Sequence, residues 1–293
     1  MNGGMKFFLV LGFACLAIGL IGGTISFRDT DWTAGTTNVD IEKKITAANI
    51  DTLSISSERT GITFIPGDSD EIKVHLVGSV TTNLAGNCTI EEETVGTNGW
   101  KVNVCQGNKT HFNFNLDELK NLIGNHGNRL RTEVTLPSKL YKAITVTTDT
   151  GPIDLKEVKA ESLTVNADTG NITIDRYEGK QLNLRSDTGR IEVKDGQGNV
   201  RLSTDTGSIK ANLHDIGNNV TLQADTGSID LRLAPPPSSA SFDLSTDTGG
   251  VRLDIPGMNT QRNGPHNAKG TIGDGSNKVT ARTDTGNITV SGN

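Results

Sequence analysis

Residues 202–213 read LSTDTGSIKANL. On one side of Asp205-Thr206-Gly207, Leu202 alternates with polar neighbours; on the other, Ile209, Ala211 and Leu213 do the same. Period-two alternation marks a strand with one buried face, so two such strands meet at this triplet. Asp-Thr-Gly recurs seven times, starting at Asp149, Asp168, Asp187, Asp205, Asp225, Asp247 and Asp284, with spacings of 19, 19, 18, 20, 22 and 37. A looser forerunner, ISSERTGITF, stands at 55–64. Aligned on Asp, the positions five and three before it and four and six after it are apolar, as in Val200, Leu202, Ile209 and Ala211. The residue just before Asp is always small: Thr148, Ala167, Ser186, Thr204, Ala224, Thr246 or Thr283.

A short, regular period is the signature of stacked repeats. A three-residue antiparallel hairpin at the triplet would put apolar and polar residues on one face, which the strand register forbids. A four-residue loop would restore the match, so a meander of hairpins stays open. Near-identical rungs stacked in parallel place each aliphatic column on itself. The fold class expected is therefore all-β: a right-handed parallel β-solenoid with rungs of about 19 residues, preceded by one transmembrane helix. In such a coil the Asp side chain would accept a hydrogen bond from the backbone two residues on, and Gly would supply positive φ. Asp-Thr-Gly-Ser at 205–208 also has the letters of an aspartic-protease loop. That chemistry needs two loops whose carboxylates share a proton; seven evenly spaced copies, each after a small residue, match a turn. A column of Asp149, Asp168, Asp187, Asp205, Asp225, Asp247 and Asp284 could alternatively hold calcium between rungs.

Composition agrees with a turn-rich β-protein. The 293 residues contain 34 Gly and only 4% aromatics, and the net charge of −6 argues against a nucleic-acid partner. Residues 7–27, FFLVLGFACLAIGLIGGTISF, carry no charge and are long enough to span a bilayer as a helix. Lys6 before them and Arg28, Asp29 and Asp31 after them would place the rest of the chain outside the cell, in a single-pass cell-membrane protein. A signal peptide cleaved near Gly23 or Ser26 is the rival reading. Cys15 follows Gly12-Phe13-Ala14, which is no lipobox. Cys88 and Cys105 flank CTIEEETVGTNGWKVNVC, which folds back near Gly96-Thr97, so the two thiols would face each other as a disulfide. His75, His111, His126, His214 and His266 show no metal-ligand spacing, and no cofactor motif is present.

These signals divide the chain into a cytoplasmic tail (1–6), an anchor (7–27), a polar stalk (28–46), an N-terminal β region (47–140) and the Asp-Thr-Gly solenoid (141–293). Within the N-terminal region, residues 50–80 would form the first turns of the coil. Residues 81–136 would leave it as an excursion or cap, with a strand at HFNFN and a helix at LDELKNLI. Pro235-Pro236-Pro237 would protrude, and 256–275 would be a long loop replacing a lost turn. The last strand, Asn287–Val290, would leave an open end suited to end-to-end association.

The passage VTLPSKLYKAITVTTDTGPIDL, the repeated Thr-Asp-Thr-Gly-x-Ile and the closing GTIGDGSNKVTARTDTGNITV resemble the bacterial β-strand-repeat "putative adhesin" family of unknown function, which includes the LiaG-like envelope proteins. The resemblance spans residues 48–293 and implies a β-solenoid outside a Gram-positive membrane, with no catalytic residues to transfer. The expected role is non-enzymatic: adhesin-like binding of a cell-wall polymer or envelope protein through a strand face or a loop. Alternatives are a regulatory or sensory part of an envelope-stress response and a carbohydrate-active β-helix enzyme. The latter needs clustered carboxylates, and the outward positions are mostly Thr, Asn, Ser, Lys and Arg.

Overall fold

The structure, a computed structural model, describes residues 36–81, 88–106 and 129–292. It opens with β1 (Thr36–Thr46), β2 (Thr52–Ser57), β3 (Gly61–Gly67) and β4 (Glu71–Thr81). The hairpin β5 (Ile90–Val95) and β6 (Gly99–Val104) follows, then β7 (Arg131–Pro137). The repeats are β8 (Tyr141–Thr150), β9 (Ile153–Thr169), β10 (Ile172–Glu178), β11 (Gln181–Thr188), β12 (Ile191–Gly196), β13 (Asn199–Thr206), β14 (Ile209–Leu213), β15 (Asn219–Thr226) and β16 (Ile229–Leu233). The chain closes with β17 (Ala240–Thr248), β18 (Val251–Asp254), β19 (Asn259–Gly264), β20 (Asn267–Ile272), β21 (Lys278–Thr285) and β22 (Ile288–Gly292).

Each rung runs up one sheet, turns at Asp-Thr-Gly and continues in a second sheet. We call these the entry and exit sheets. Leu184 pairs with Leu202, and Leu202 with Leu222, in parallel register in the entry sheet; Ile191 pairs with Ile209, and Ile209 with Ile229, in the exit sheet. The fold is therefore all-β and solenoid-like, and the hairpin meander does not occur at these corners. Between the sheets runs a dry aliphatic interior in which Ile153, Ile172, Ile191, Ile209, Ile229 and Ile288 stack, all essentially inaccessible to water. Burying each such side chain contributes roughly 1.5–3 kcal/mol. One rung alone cannot offset the ordering of its backbone, so neighbouring rungs must stack.

The order of rungs in space differs from their order in the chain. β21 lies between β15 and β17, and β22 between β16 and β18. The spacing of 37 thus reflects an excursion, after which the last rung inserts between two earlier ones. The 256–275 stretch expected to be a loop contains the antiparallel hairpin β19–β20, whose second strand pairs with β17. Consequently the strand expected at an open coil end, β22, is hydrogen-bonded on both sides. The N-terminal end repeats the device: β2 sits between β6 and β8, and β3 between β7 and β9. At each end a rung has neighbours on both sides, and antiparallel strands cover the next edge, which reduces exposed strand edges.

Two further expectations change. Residues 36–46, assigned to a polar stalk, form β1, paired along its whole length with β4, because Val39, Ile41 and Ile45 give it an apolar face. The single-pass localisation is corrected: among the described residues no helix is long and apolar enough to cross a membrane. In a bilayer the backbone is satisfied only within a helix or a closed barrel, so apolar length in a sequence is not by itself a span. Residues 7–27, the HFNFN strand and the LDELKNLI helix lie outside the described residues.

Candidate functional site

The corner comes first because it sets which side chains reach the surface. The Gly207 amide donates to Thr226 O of the next rung at 2.9 Å, as Gly189 does to Thr206 O. The amide two residues after Asp205 is therefore taken by the neighbouring rung and does not bond the Asp carboxylate. Gly207 has φ +154°, and a Cβ there would lie 2.0 Å from Gly189 O, so the column closes only with glycine. The small residue before Asp has a second duty. Ser186 Oγ donates to Gly170 O at 3.0 Å, Thr204 Oγ1 to Gly189 O at 3.1 Å, and Thr283 Oγ1 to Gly227 O at 2.9 Å. A buried hydroxyl thus serves a carbonyl of the adjacent rung. Thr or Ser at five of the seven positions was the sequence signal for this bond.

The corner separates two outer surfaces of opposite character. On the entry sheet the outward columns lie six, four and two residues before each Asp. They hold Ser162, Thr164 and Asn166; Gln181, Asn183 and Arg185; Asn199, Arg201 and Ser203; Asn219, Thr221 and Gln223; and Lys278, Thr280 and Arg282. From β6 to β17 the only acid in these columns is Asp243, which is bonded to Lys269 at 3.0 Å. No aromatic side chain stands in these columns. On the exit sheet the columns five and seven after Asp carry Asp154, Glu192, Asp230, Asp175 and Asp254 among Lys156, Lys194, Lys210 and Arg252. There Asp175 accepts from Lys194 at 2.8 Å and Lys156 at 3.1 Å, across both neighbouring rungs. The Lys194 hydrogen bond, with Lys156, holds the Asp175 carboxyl below its usual range. The exit sheet pairs acids with lysines across its rungs, whereas the inner columns of the entry sheet present mainly hydroxyls and amides, with acids kept to their borders: the repeat aspartates beside Arg185, Glu161 beside Lys180, and Glu93 of β5 beside Lys101.

A cleft of about 580 Å³ adjoins the N-terminal end of the entry face, lined by Thr52, Ser54, Asn98, Lys101, Lys142 and the half-exposed Val95 of the β5–β6 hairpin, among others. Cys88 and Cys105 are joined in a disulfide with S–S 2.11 Å at the base of that hairpin. The seven repeat aspartates line one border of the face, since Thr150, Thr169, Thr188, Thr206, Thr226, Thr285 and Thr248 are in register. Arg185 bonds two of them, Asp187 at 2.8 Å and Asp205 at 3.3 Å. Among the described residues no three His, Cys, Asp or Glu side chains are grouped so as to hold a metal ion. Of the histidines, His75 bonds Asp40, His214 contacts Asp195 and Gln197, and His266 contacts Gly249 O. His111 and His126 lie outside the described residues.

At the opposite corner two tyrosines fill space that no repeat alignment reveals. Tyr177 donates to Gln181 O at 2.6 Å and Ala160 O at 2.9 Å and accepts from Gln181 N at 3.2 Å. The buried Tyr141 hydroxyl finds no hydrogen-bond partner among the described residues, and Lys139 Nζ lies 4.9 Å from its ring centre. Burial pushes both phenols up to about 12.

Residues 140–291 match the family model described as Toastrack DUF4097. That is more than half of the chain, which therefore belongs to this family. The expected family resemblance is borne out. No curated protein matches the chain. Among solved structures, a "putative cell adhesion protein" from Clostridium sporogenes is 13% identical and covers 88% of this chain and 100% of its own, with a TM-score of 0.35. A "putative adhesin" from Bacteroides fragilis is 13% identical over 87% of this chain and 98% of its own, TM-score 0.41. A "putative lipid binding protein" from Parabacteroides distasonis is 14% identical over 87% and 95%, TM-score 0.34.

Proposed function

We propose that this member of the Toastrack family is a non-catalytic, adhesin-like binding protein whose right-handed coil presents the entry sheet as a flat contact surface for an extended cell-wall polysaccharide. The observation that carries this reading is the asymmetry of the two faces. The exit sheet spends its charges on cross-rung ion pairs, while the entry sheet leaves rows of Thr, Asn, Ser, Gln and Arg facing solvent. Parallel rungs repeat at ~4.8 Å, so hydrogen-bonding groups recur along the coil axis as they do along a polymer. Rigid rows of this kind bind without the ordering penalty of mobile side chains on a loop. The Cys88–Cys105 bond suits an oxidising compartment, where such polymers are met.

The test is co-sedimentation of the purified protein with isolated bacterial cell-wall polysaccharide. Thr164→Glu with Thr221→Glu on the entry face is expected to reduce the bound fraction at least tenfold. Lys210→Glu on the exit face is expected to leave it unchanged. Binding that survives the first change and is lost with the second would overturn the assignment of the face, and release of new reducing ends from the polymer would overturn the absence of catalysis.

A further inference from the structure

The two sheets end in four outermost strands: β5 and β19 in the entry sheet, β1 and β18 in the exit sheet. Three of them are blunted in ways that discourage pairing with another chain. β5 has 6 residues and carries Glu91, Glu92 and Glu93. β19 loses its register between Gln261 and Gly264 and runs into Pro265. β18 has 4 residues, and its first amide, Val251 N, is bonded to Pro265 O at 3.0 Å. β1 differs: it has 11 residues, no proline or glycine, and an unbroken register with β4. We propose that the outer edge of β1 pairs antiparallel with the same edge of a second copy of this chain, joining two exit sheets across a two-fold axis at Lys43.

The backbone of β1 supplies the hydrogen bonds. Ala47 N, one step beyond the Thr46–Glu71 pair, donates to Asp70 O at 2.8 Å. In an antiparallel ladder hydrogen-bonded pairs alternate with pairs that exchange no bonds. Ala47, Ile45, Lys43, Ile41 and Val39 therefore turn their amides and carbonyls towards β4. Those of Asp40, Glu42, Lys44 and Thr46 point to the opposite edge, where no described residue bonds them. A second β1 laid antiparallel along this edge satisfies both rows at once.

The side chains select both the partner and the register. Val39, Ile41 and Ile45 lie on the core side of β1, the last two only partly buried, and Asp40, Glu42 and Lys44 lie on the outer side. With Lys43 on the axis, Glu42 stands opposite the partner's Lys44 and Lys44 opposite the partner's Glu42. Ile41 and Ile45 likewise face each other twice, in the closer, non-hydrogen-bonded kind of pair. Opposite charges and apolar pairs across strands are stabilising. The axial lysines form the one like-charge pair, and each is held by Glu92 of its own chain at 3.0 Å. Moving the axis to Glu42 sets that carboxylate against itself and Ile41 against Lys43; moving it to Ile41 sets Asp40 against Glu42. Charges and isoleucines that match their own reversal fit an isologous contact. A strand edge makes a small interface, so the dimer is weak and reversible. The axis stands perpendicular to the joined sheet, which leaves both entry faces on one side of it. The pairing edge thus lies at the N-terminal end of the coil, while the final strand, expected to offer an open end, is enclosed.

The experiment is sedimentation velocity of the whole purified chain over a range of concentrations. A monomer–dimer equilibrium with Kd on the order of micromolar is expected. Glu42→Lys or Lys44→Glu alone should weaken it about tenfold, because each sets like charges opposite each other twice. The two changes together exchange the charges and should restore the parent Kd to within about twofold, with circular dichroism the same in all three variants. Under oxidation, Lys43→Cys in a Cys15→Ser chain should form a covalent dimer, since residues facing each other in a non-hydrogen-bonded pair stand about 4.5 Å apart at Cα. Asp40→Cys in the same chain should not, because six residues of strand separate it from its own copy by about 20 Å. A chain that stays monomeric at about 200 µM overturns the inference. So does a double exchange as weak as the single changes, cross-linking of Asp40→Cys as ready as that of Lys43→Cys, or association that ignores every β1 variant. None of these outcomes touches the co-sedimentation test of polysaccharide binding.

Discussion

Every rung crosses the Asp-Thr-Gly corner in two residues outside the strands, as at 170–171, 189–190, 207–208 and 227–228. The opposite corner varies from no break at all, within β9, through two residues at 179–180, to six at 234–239. The difference lies in where the backbone groups find partners. At the tight corner the Gly amide, the following Ile amide and the buried hydroxyl all bond the adjacent rung, so one added atom disturbs two rungs. At the open corner the rung-to-rung bonds, such as Asn199 N to Lys180 O and Ala234 N to Leu213 O, flank the variable stretch, and side chains fill what remains. Uniform spacing is enforced at one corner, and all the variation between 18 and 22 is absorbed at the other.

The sharpest way to break this contrast is to burden both corners equally. Gly207→Ala places a methyl against Gly189 O and requires a strained φ, so a loss of about 3 kcal/mol or more is expected in urea unfolding. A glycine inserted between Pro236 and Pro237 should change the same measurement by less than about 0.5 kcal/mol. Equal effects would refute the division of labour.

The open corner has its own point of rigidity, which the next pair of variants isolates. Tyr177→Phe removes a donor shared by two carbonyls and should cost about 2 kcal/mol, whereas Tyr141→Phe, which deletes a hydroxyl without a partner among the described residues, should cost nothing or stabilise slightly. Both tyrosines keep their protons in the fold to about pH 12, against ~10 in the unfolded chain. Because the folded values are raised, their contribution is whole below pH ~10 and is lost as pH climbs towards 12. A double Tyr-to-Phe variant should lose less stability over that window than the parent chain. The smallest effects belong to the hydroxyl column. Thr204→Val should cost about 1 kcal/mol by leaving Gly189 O without its donor, and Ala224→Ser should add a few tenths of a kcal/mol by supplying one to Gly207 O.

Much of this was legible in the residues. Alternation around Asp-Thr-Gly gave the two faces, the period gave the coil, and aligning the repeats on Asp already sorts most of the outward acids after the corner from mainly uncharged and basic residues before it. The signal for the candidate face was therefore present in columns such as Thr164–Asn183–Arg201–Thr221. The two tyrosines were hidden because the open corner has no repeating pattern to align. The chemistry of β1 was hidden because Val39, Ile41 and Ile45 are diluted by Asp40, Glu42, Lys43 and Lys44 in a stretch that looks merely polar.

By itself the sequence determined that each Asp-Thr-Gly unit is a rung with an aliphatic inside, because steric demand at the glycine and period-two burial are local properties. Only the tertiary structure decided which rung neighbours which. Strands with interchangeable apolar columns pair equally well by backbone hydrogen bonds, so nothing in β21 or β22 says that they belong between β15–β16 and β17–β18 rather than after them. That choice was settled by the β19–β20 hairpin covering β17, which occupies the outer edge and leaves the inner gap to the last rung.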